Sequence, residues 1–267
     1  MNFLWRVASI VAWTVAVAVI TLAQAVLFVV YLATLASDPE RRRVARMFHS
    51  LGIVILRFHP WVRVHFDVKA TLPYGEPCVI VSNHESDLDV YLSSELAIRG
   101  WNAKYLSKQS LYDLPVLGWG MRMAGDIPVV RNDRKSRAQA AILCRRWLER
   151  GVPVFIFPEG TRSRTGEMGS FKDGAFRLAI ETGSPVQPIV YAGTRDALPP
   201  GAFLLRPSTV ALRVLDPVPV AGLTLADAGV LAKRVEDMVR NERNDLRRAH
   251  GMPPEARREE SASGPGA

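Results

Sequence analysis

Hydrophobic and polar positions divide the chain into two textures. From Val7 to Ser37 no residue is charged, and alanine, valine and leucine dominate. A bilayer core takes about 20 residues of helix, so the pattern predicts a transmembrane helix over about residues 5–37. The apolar part of a signal peptide is only about 7 to 15 residues long, so this segment is expected to stay on the protein. Residues 39–58 then mix Arg41, Arg42, Arg43 and Arg46 with Met47, Leu51, Ile53, Val54, Leu56 and Phe58. That mixture predicts a second, interfacial helix whose basic side chains meet lipid phosphates, with room for one face to pack on the rest of the protein. Residues 1–59 are therefore read as a membrane anchor, single-pass or monotopic. Four arginines follow the apolar run and only Arg6 precedes it, so the positive-inside bias places everything after residue 38 in the cytoplasm.

After Pro60 the texture becomes that of an α/β domain, expected over 60–250. Val62 to Val68 alternates like a half-buried strand, and Cys78 to Ser82 is a continuous apolar run like a central one. Further strands are predicted at 103–106, 127–130, 152–157, 186–191 and 209–214, with helices near 89–98, 134–149, 173–182 and 224–248. Strands alternating with helices imply a mixed, largely parallel sheet flanked by helices. Residues 251–267 are rich in Pro, Gly, Ser and charge and are expected to be a disordered tail.

A hydrophobic content of 48% over 267 residues excludes a largely disordered chain. The formal charge of +8 draws the molecule to anionic surfaces, acidic lipid and nucleic acid alike. Cys78 and Cys144 lie far apart with no CxxC spacing. That suits a reducing cytoplasmic setting and two buried small hydrophobes in preference to nucleophiles.

Two constellations carry chemistry. Asn83-His84-Glu85-Ser86-Asp87-Leu88-Asp89 sits between the apolar strand and the next helix, where open α/β sheets place their ligands. A neutral imidazole accepts a hydroxyl proton near pH 7, and a carboxylate on its other nitrogen fixes the tautomer; His84 with Asp89 supplies such a pair. Either acid can equally serve as a helix N-terminal residue. The second, Phe157-Pro158-Glu159-Gly160-Thr161-Arg162-Ser163, also follows a strand and combines a glycine, hydroxyls and a planar guanidinium in the manner of an anion cradle. Lys104, Lys108 and Arg131 stand at ends of predicted strands, as anion ligands or as solvated charges. There is no Gly-x-Ser-x-Gly nucleophile elbow.

In combination these residues resemble the 1-acylglycerol-3-phosphate acyltransferase family across about residues 55–220. The family's His-four residues-Asp block is met by His84 and Asp89. Its second region is met by Lys108-Gln109-Ser110-Leu111, Pro115, Gly118-Trp119 and Arg131, and its Phe-Pro-Glu-Gly-Thr-Arg-Ser block in full by 157–163. Its Val-Pro segment is met by Val186-Gln187-Pro188-Ile189, where the interposed Gln187 is a departure. Phe171-Lys172, Gly174-Ala175-Phe176 and Gly193-Thr194-Arg195 are also similar to the family.

The resemblance implies that His84 is a general base oriented by Asp89, and that Lys108, Arg131, Glu159, Gly160, Thr161 and Arg162 hold the phosphate region of the acceptor. Glu159 itself repels phosphate, so its role would be to position Arg162 or a turn, or to touch the glycerol hydroxyl. The reaction implied is direct transfer of a fatty-acyl group from acyl-CoA or acyl carrier protein to lysophosphatidic acid, giving phosphatidic acid. It implies no metal and no cofactor, with membrane phospholipids and not nucleic acid as the surroundings. Other lysophospholipids or an ornithine-type lysolipid are alternative acceptors. Two other classes remain open: metal-dependent glycosyl transfer using Asp87 and Asp89, and a catalytically silent lipid-binding protein.

Overall fold

The computed structural model describes residues 2–68, 76–163 and 166–253. In chain order it contains α1 (Asn2–Thr34), α2 (Arg42–Ser50), α3 (Ile53–Arg57), β1 (Val62–Val68), β2 (Val79–Ser82), α4 (Leu88–Leu92), α5 (Ser94–Ile98), β3 (Lys104–Lys108), α6 (Leu117–Ala124), β4 (Ile127–Val129), α7 (Arg134–Glu149), β5 (Val154–Ile156), α8 (Gly174–Thr182), β6 (Val186–Ala192), α9 (Thr194–Ala197), β7 (Ser208–Val214) and α10 (Ala228–Ala249). The expected tail lies, from residue 254 onward, outside the described residues.

The seven strands form one sheet in the order β1-β7-β6-β2-β5-β3-β4. Strands β2 to β6 run parallel to one another; β7 is antiparallel to β6 and carries β1 parallel beside it. The sheet is thus mixed and largely parallel. Both of its faces are covered, which is why β2 reads as an unbroken apolar run. Val79 and Val81 pack with Cys144 of α7, Phe176 of α8 and Val235 of α10, while Ile80 packs on the opposite face with Leu56, Leu88 and Leu92. Cys78 and Cys144 lie in these two separate layers, and burial pushes both thiols up to about 12.

The topology creates the site. Strand β2 lies between β5 and β6, so the segments leaving these three parallel strands at their C-terminal ends are neighbours. They are the His84 segment, the Glu159 to Arg162 turn and Thr194.

Helix α1 is apolar over Phe3–Thr34, with a mean hydropathy of 2.5 in an 18-residue window, long enough to cross a membrane. Ser9, Ala12, Ala16 and Leu27 face the protein, whereas Phe3, Leu4, Ile10, Leu22, Phe28 and Val29 are exposed. Both halves touch the α/β domain: Ser9 Oγ accepts from Leu205 N at 2.7 Å, Trp13 Nε1 donates to Phe203 O at 2.6 Å, and Leu27 packs with Phe48, Tyr112 and Met121.

The helix expected over 39–58 is instead two. Asp38 accepts from the backbone N–H groups of Arg42 and Arg43 at 3.0 and 2.8 Å and so starts α2. The chain breaks at Leu51-Gly52, where a Cβ on Gly52 would come within 2.4 Å of Ser94 Oγ. Val44, Ala45, Phe48, Ile53, Ile55 and Leu56 are all buried in protein. Arg41 donates to Arg122 O at 2.8 Å, and Arg42 to Arg150 O and Gly151 O at 3.2 and 3.1 Å, placing cations at the C-terminal ends of α6 and α7.

Candidate active site

Segment 83–87 is held from both neighbours of β2. The Asn83 side chain imitates a strand pair with β6: its Oδ1 accepts from Tyr191 N and its Nδ2 donates to Tyr191 O, both at 2.9 Å. On the β5 side, His84 N donates to Glu159 Oε1 at 2.7 Å, and Ser163 N donates to His84 O at 3.2 Å. The backbone of His84 is therefore clamped at both its N–H and its carbonyl by the second constellation.

Asp89 is fully buried in α4. Its Oδ2 accepts from His84 Nδ1 at 2.8 Å, Glu85 N at 2.7 Å and Ser86 N at 2.9 Å, and its Oδ1 accepts from the Thr194 hydroxyl. With Nδ1 bonded to a carboxylate, the accepting nitrogen of a neutral His84 ring is Nε2. The ring stacks on Phe157 with centroids 4.0 Å apart, which sets its plane.

Glu159 is buried, with Oε1 on His84 N and Oε2 accepting from Gly169 N at 2.8 Å. Burial pushes its carboxyl up to about 7 against the pull of those two N–H groups. Both oxygens are committed to backbone, so Glu159 braces the site's walls and presents neither oxygen to an anion. Gly160 takes φ +72°, and a Cβ there would meet Lys172 Nζ at 2.8 Å. Thr161 is exposed beside it, and Arg162 reaches back to pair with Asp87.

Arg131, just beyond β4, is lowered from its ordinary value by burial and, after that, by the neighbouring Arg162 guanidinium. Lys108 ends β3 on the same edge and is exposed. Two neighbouring guanidiniums, of which Arg162 pairs with the exposed carboxylate of Asp87, leave net positive charge beside the His84 segment.

Lys104 does not join them. It starts β3 and so lies at the opposite edge of the parallel strands, fully buried, with Nζ donating to Ala124 O at 2.6 Å and Arg41 O at 3.3 Å and standing 4.9 Å from the Trp147 ring. Asp87 and Asp89 do not form a metal-binding pair either. Asp87 pairs with Arg162 at the surface, while Asp89 is enclosed by four protein donors.

Glu85 and Thr194 enter the sequence motifs with no role of their own, and Arg243 lies outside those motifs. Glu85 is buried next to Asp89, where burial pushes its carboxyl up and Arg243 of α10 pulls against that. The one available signal was in α10, where Glu236, Arg240, Arg243 and Arg247 recur at helical spacing.

Residues 63–192 match the family model described as Acyltransferase. The chain is 32% identical over 215 residues to human 1-acyl-sn-glycerol-3-phosphate acyltransferase alpha, covering 79% of this chain and 74% of that one. With the human beta form it is 31% identical over 193 residues, covering 71% and 68%. It is 38% identical over 170 residues to the chloroplast protein LPAT1 of Arabidopsis thaliana, 62% of this chain but 46% of that one, so the chain spans about half the length of this plant relative. In three dimensions it matches the 1-acyl-sn-glycerophosphate acyltransferase PlsC of Thermotoga maritima with a TM-score of 0.76 and 24% identity, over 92% of this chain and 98% of that one, which shows a common fold. The family match and the fold are those of an acyltransferase domain. Within that class, the chain belongs to the 1-acyl-sn-glycerol-3-phosphate acyltransferase family.

Proposed function

We propose that the protein transfers a fatty-acyl group from acyl-CoA or acyl carrier protein to the sn-2 hydroxyl of 1-acyl-sn-glycerol 3-phosphate, giving phosphatidic acid. The observation that carries this reading is the His84 Nδ1 to Asp89 contact of 2.8 Å, which leaves Nε2 as the base beside the Arg131 and Arg162 cations. The acceptor hydroxyl gives its proton to Nε2 while its oxygen attacks the thioester carbonyl. The resulting tetrahedral oxyanion collapses, the carbon–sulfur bond breaks, and the imidazolium returns the proton to the departing thiolate. Asp89 stabilises the imidazolium between these steps. Arg131 and Arg162, with Lys108 and Lys172 nearby, attract the acceptor phosphate. The test offers purified protein a panel of lysolipids with both donors and follows thiol release and product mass. Phosphatidic acid from lysophosphatidic acid is the expected product; transfer confined to another lysolipid would overturn this acceptor assignment.

The substrates are lipids, and α1 supplies the surface that meets them. Its domain contacts run from Ser9 to Leu27, about 27 Å of helix, close to the roughly 30 Å of a bilayer core. A perpendicular span would pull the domain into the membrane, so α1 lies along one leaflet, with Phe3, Leu22, Phe28 and Val29 toward acyl chains and the domain in the cytoplasm. Cysteines placed at Arg6, whose charged side chain must reach water, and at Ser37 are expected to react with an impermeant thiol reagent from the same side of a vesicle. Labelling from opposite sides would establish a span instead.

A further inference from the structure

Helix α10 faces the site with a charged stripe. Glu236 Oε2 accepts from Phe171 N at 2.9 Å, Arg240 donates to Met168 O at 3.0 Å, Arg243 donates to Gly166 O at 3.0 Å, and Arg247 pairs with Asp196 of α9 at 2.9 Å. In the middle of the stripe, Arg243 Nε donates to Glu85 Oε1, both side chains being almost fully buried. A helix 158 residues away in sequence thus reaches the residue directly after His84.

The proton count around Glu85 gives the contact a chemical role. Glu85 Oε1 also accepts from Asn83 Nδ2 at 3.2 Å, and Oε2 stands 3.3 Å from the Thr194 hydroxyl, which donates to Asp89 Oδ1. A threonine hydroxyl has one proton and two carboxylates border it. Arg243 is permanently charged, so it can hold Glu85 as a carboxylate without that proton. The other charged groups facing the pair are Arg247 on α10, Asp89 on α4 and Glu159 after β5.

We infer that the α10 stripe, centred on Arg243, is a positioning element for acyl transfer: Arg243 neutralises Glu85, the Thr194 proton stays with Asp89, and His84 keeps its orientation and basicity. This rests on the acyltransferase reading above. It makes the C-terminal helix part of the active site, and not only a cover for the sheet.

The test measures kcat, KM and the pH profile of kcat/KM for wild type, Glu85→Gln, Arg243→Met and Glu85→Gln/Arg243→Met, with melting curves for each. Glu85→Gln leaves Arg243 as an unbalanced positive charge, which disfavours the imidazolium, so the acid limb is expected to move to lower pH. Arg243→Met leaves an unbalanced negative charge, so its limb is expected to move to higher pH, with kcat down on the order of 100-fold from misplacement of the base and KM little changed. The charge-neutral double variant is expected to return to within about tenfold of wild type. Should Arg243→Met fail to fold, Glu85→Gln and the double variant carry the test. An active wild type whose folded Glu85→Gln variant keeps both its kcat and its acid limb would overturn the inference alone. A folded wild type that transfers no acyl group to any lysolipid would overturn the underlying reading and the inference with it.

Discussion

Among the described residues two histidines pair with a carboxylate, and their comparison shows what separates the pair proposed for catalysis from one that braces the fold. His49 Nε2 lies 3.1 Å from Asp126 Oδ2, and Asp126 Oδ1 accepts from Tyr105 N at 2.9 Å. This is nearly as good a contact as His84 with Asp89. The difference is at the far side of each ring. His49 Nδ1 is buried without a hydrogen-bond partner among the described residues, its ring packed edge-on to Tyr105 and seated between α2 and β3. The His84 pair stands at the C-terminal edge of the parallel strands beside Arg131 and Arg162, with Glu85 N and Ser86 N donating to Asp89 and Ser163 N, from the other loop, donating to the His84 carbonyl. One pair joins α2 to the sheet; the other meets a charged edge at the C-terminal ends of the parallel strands.

Exchanging the two pairs' fates is the strongest way to break this comparison. His84→Ala is expected to reduce kcat by on the order of 10³-fold or more in a protein that still folds, because Asp89 keeps three other donors, whereas His49→Ala is expected to leave kcat within about threefold of wild type while lowering stability by about 1 to 3 kcal/mol through the orphaned Asp126. Steady-state rates and thermal melts on both variants decide it. Equal loss of activity from the two would erase the distinction.

A smaller effect sharpens the role of the charged edge. Arg131→Ala and Arg162→Ala are each expected to raise KM for lysophosphatidic acid by about tenfold, about 1.4 kcal/mol for one lost charge-assisted hydrogen bond, with kcat changed less. A neutral monoacylglycerol acceptor should be indifferent to both. Loss of kcat at unchanged KM would instead place these residues in transition-state stabilisation.

Much of this arrangement was legible in the sequence, for physical reasons that differ by element. All seven strands lie where apolar runs bounded by turn residues predict them, because a doubly covered sheet demands such runs. His84 and Asp89 were legible because their contact is local, closed within one turn from strand to helix. Helix α6 was not. It carries Gly118 and Gly120, poor helix formers, and exists because α2 packs against it so closely that a Cβ on Gly120 would fall 2.2 Å from the Phe48 ring. Nor was the break at Gly52, which depends on Ser94, or the grip of Arg243 on Glu85, which depends on how α10 crosses the sheet. Lys104 was misplaced for a simpler reason: a strand has two ends, and only the register of β3 against β5 tells which end faces the site.

That buried lysine supplies the smallest effect and a check on the anchor side of the comparison. Burial lowers the Lys104 amine from 10.5 to about 8, although Asp126 pulls the other way. Between pH 8 and 10.5 the unfolded chain therefore holds a proton at this position that the folded chain has released, so stability rises with pH across that window and this contribution is flat below it. In Lys104→Met the contribution vanishes, and other titrating groups cancel when the two proteins are compared. The melting temperature of wild type relative to the variant is expected to increase by a few degrees from about pH 8 to about 10.5. A difference constant across that range would mean that the lysine reaches water, and that the junction between Arg41 of the anchor and the Ala124 end of α6 opens instead of remaining sealed.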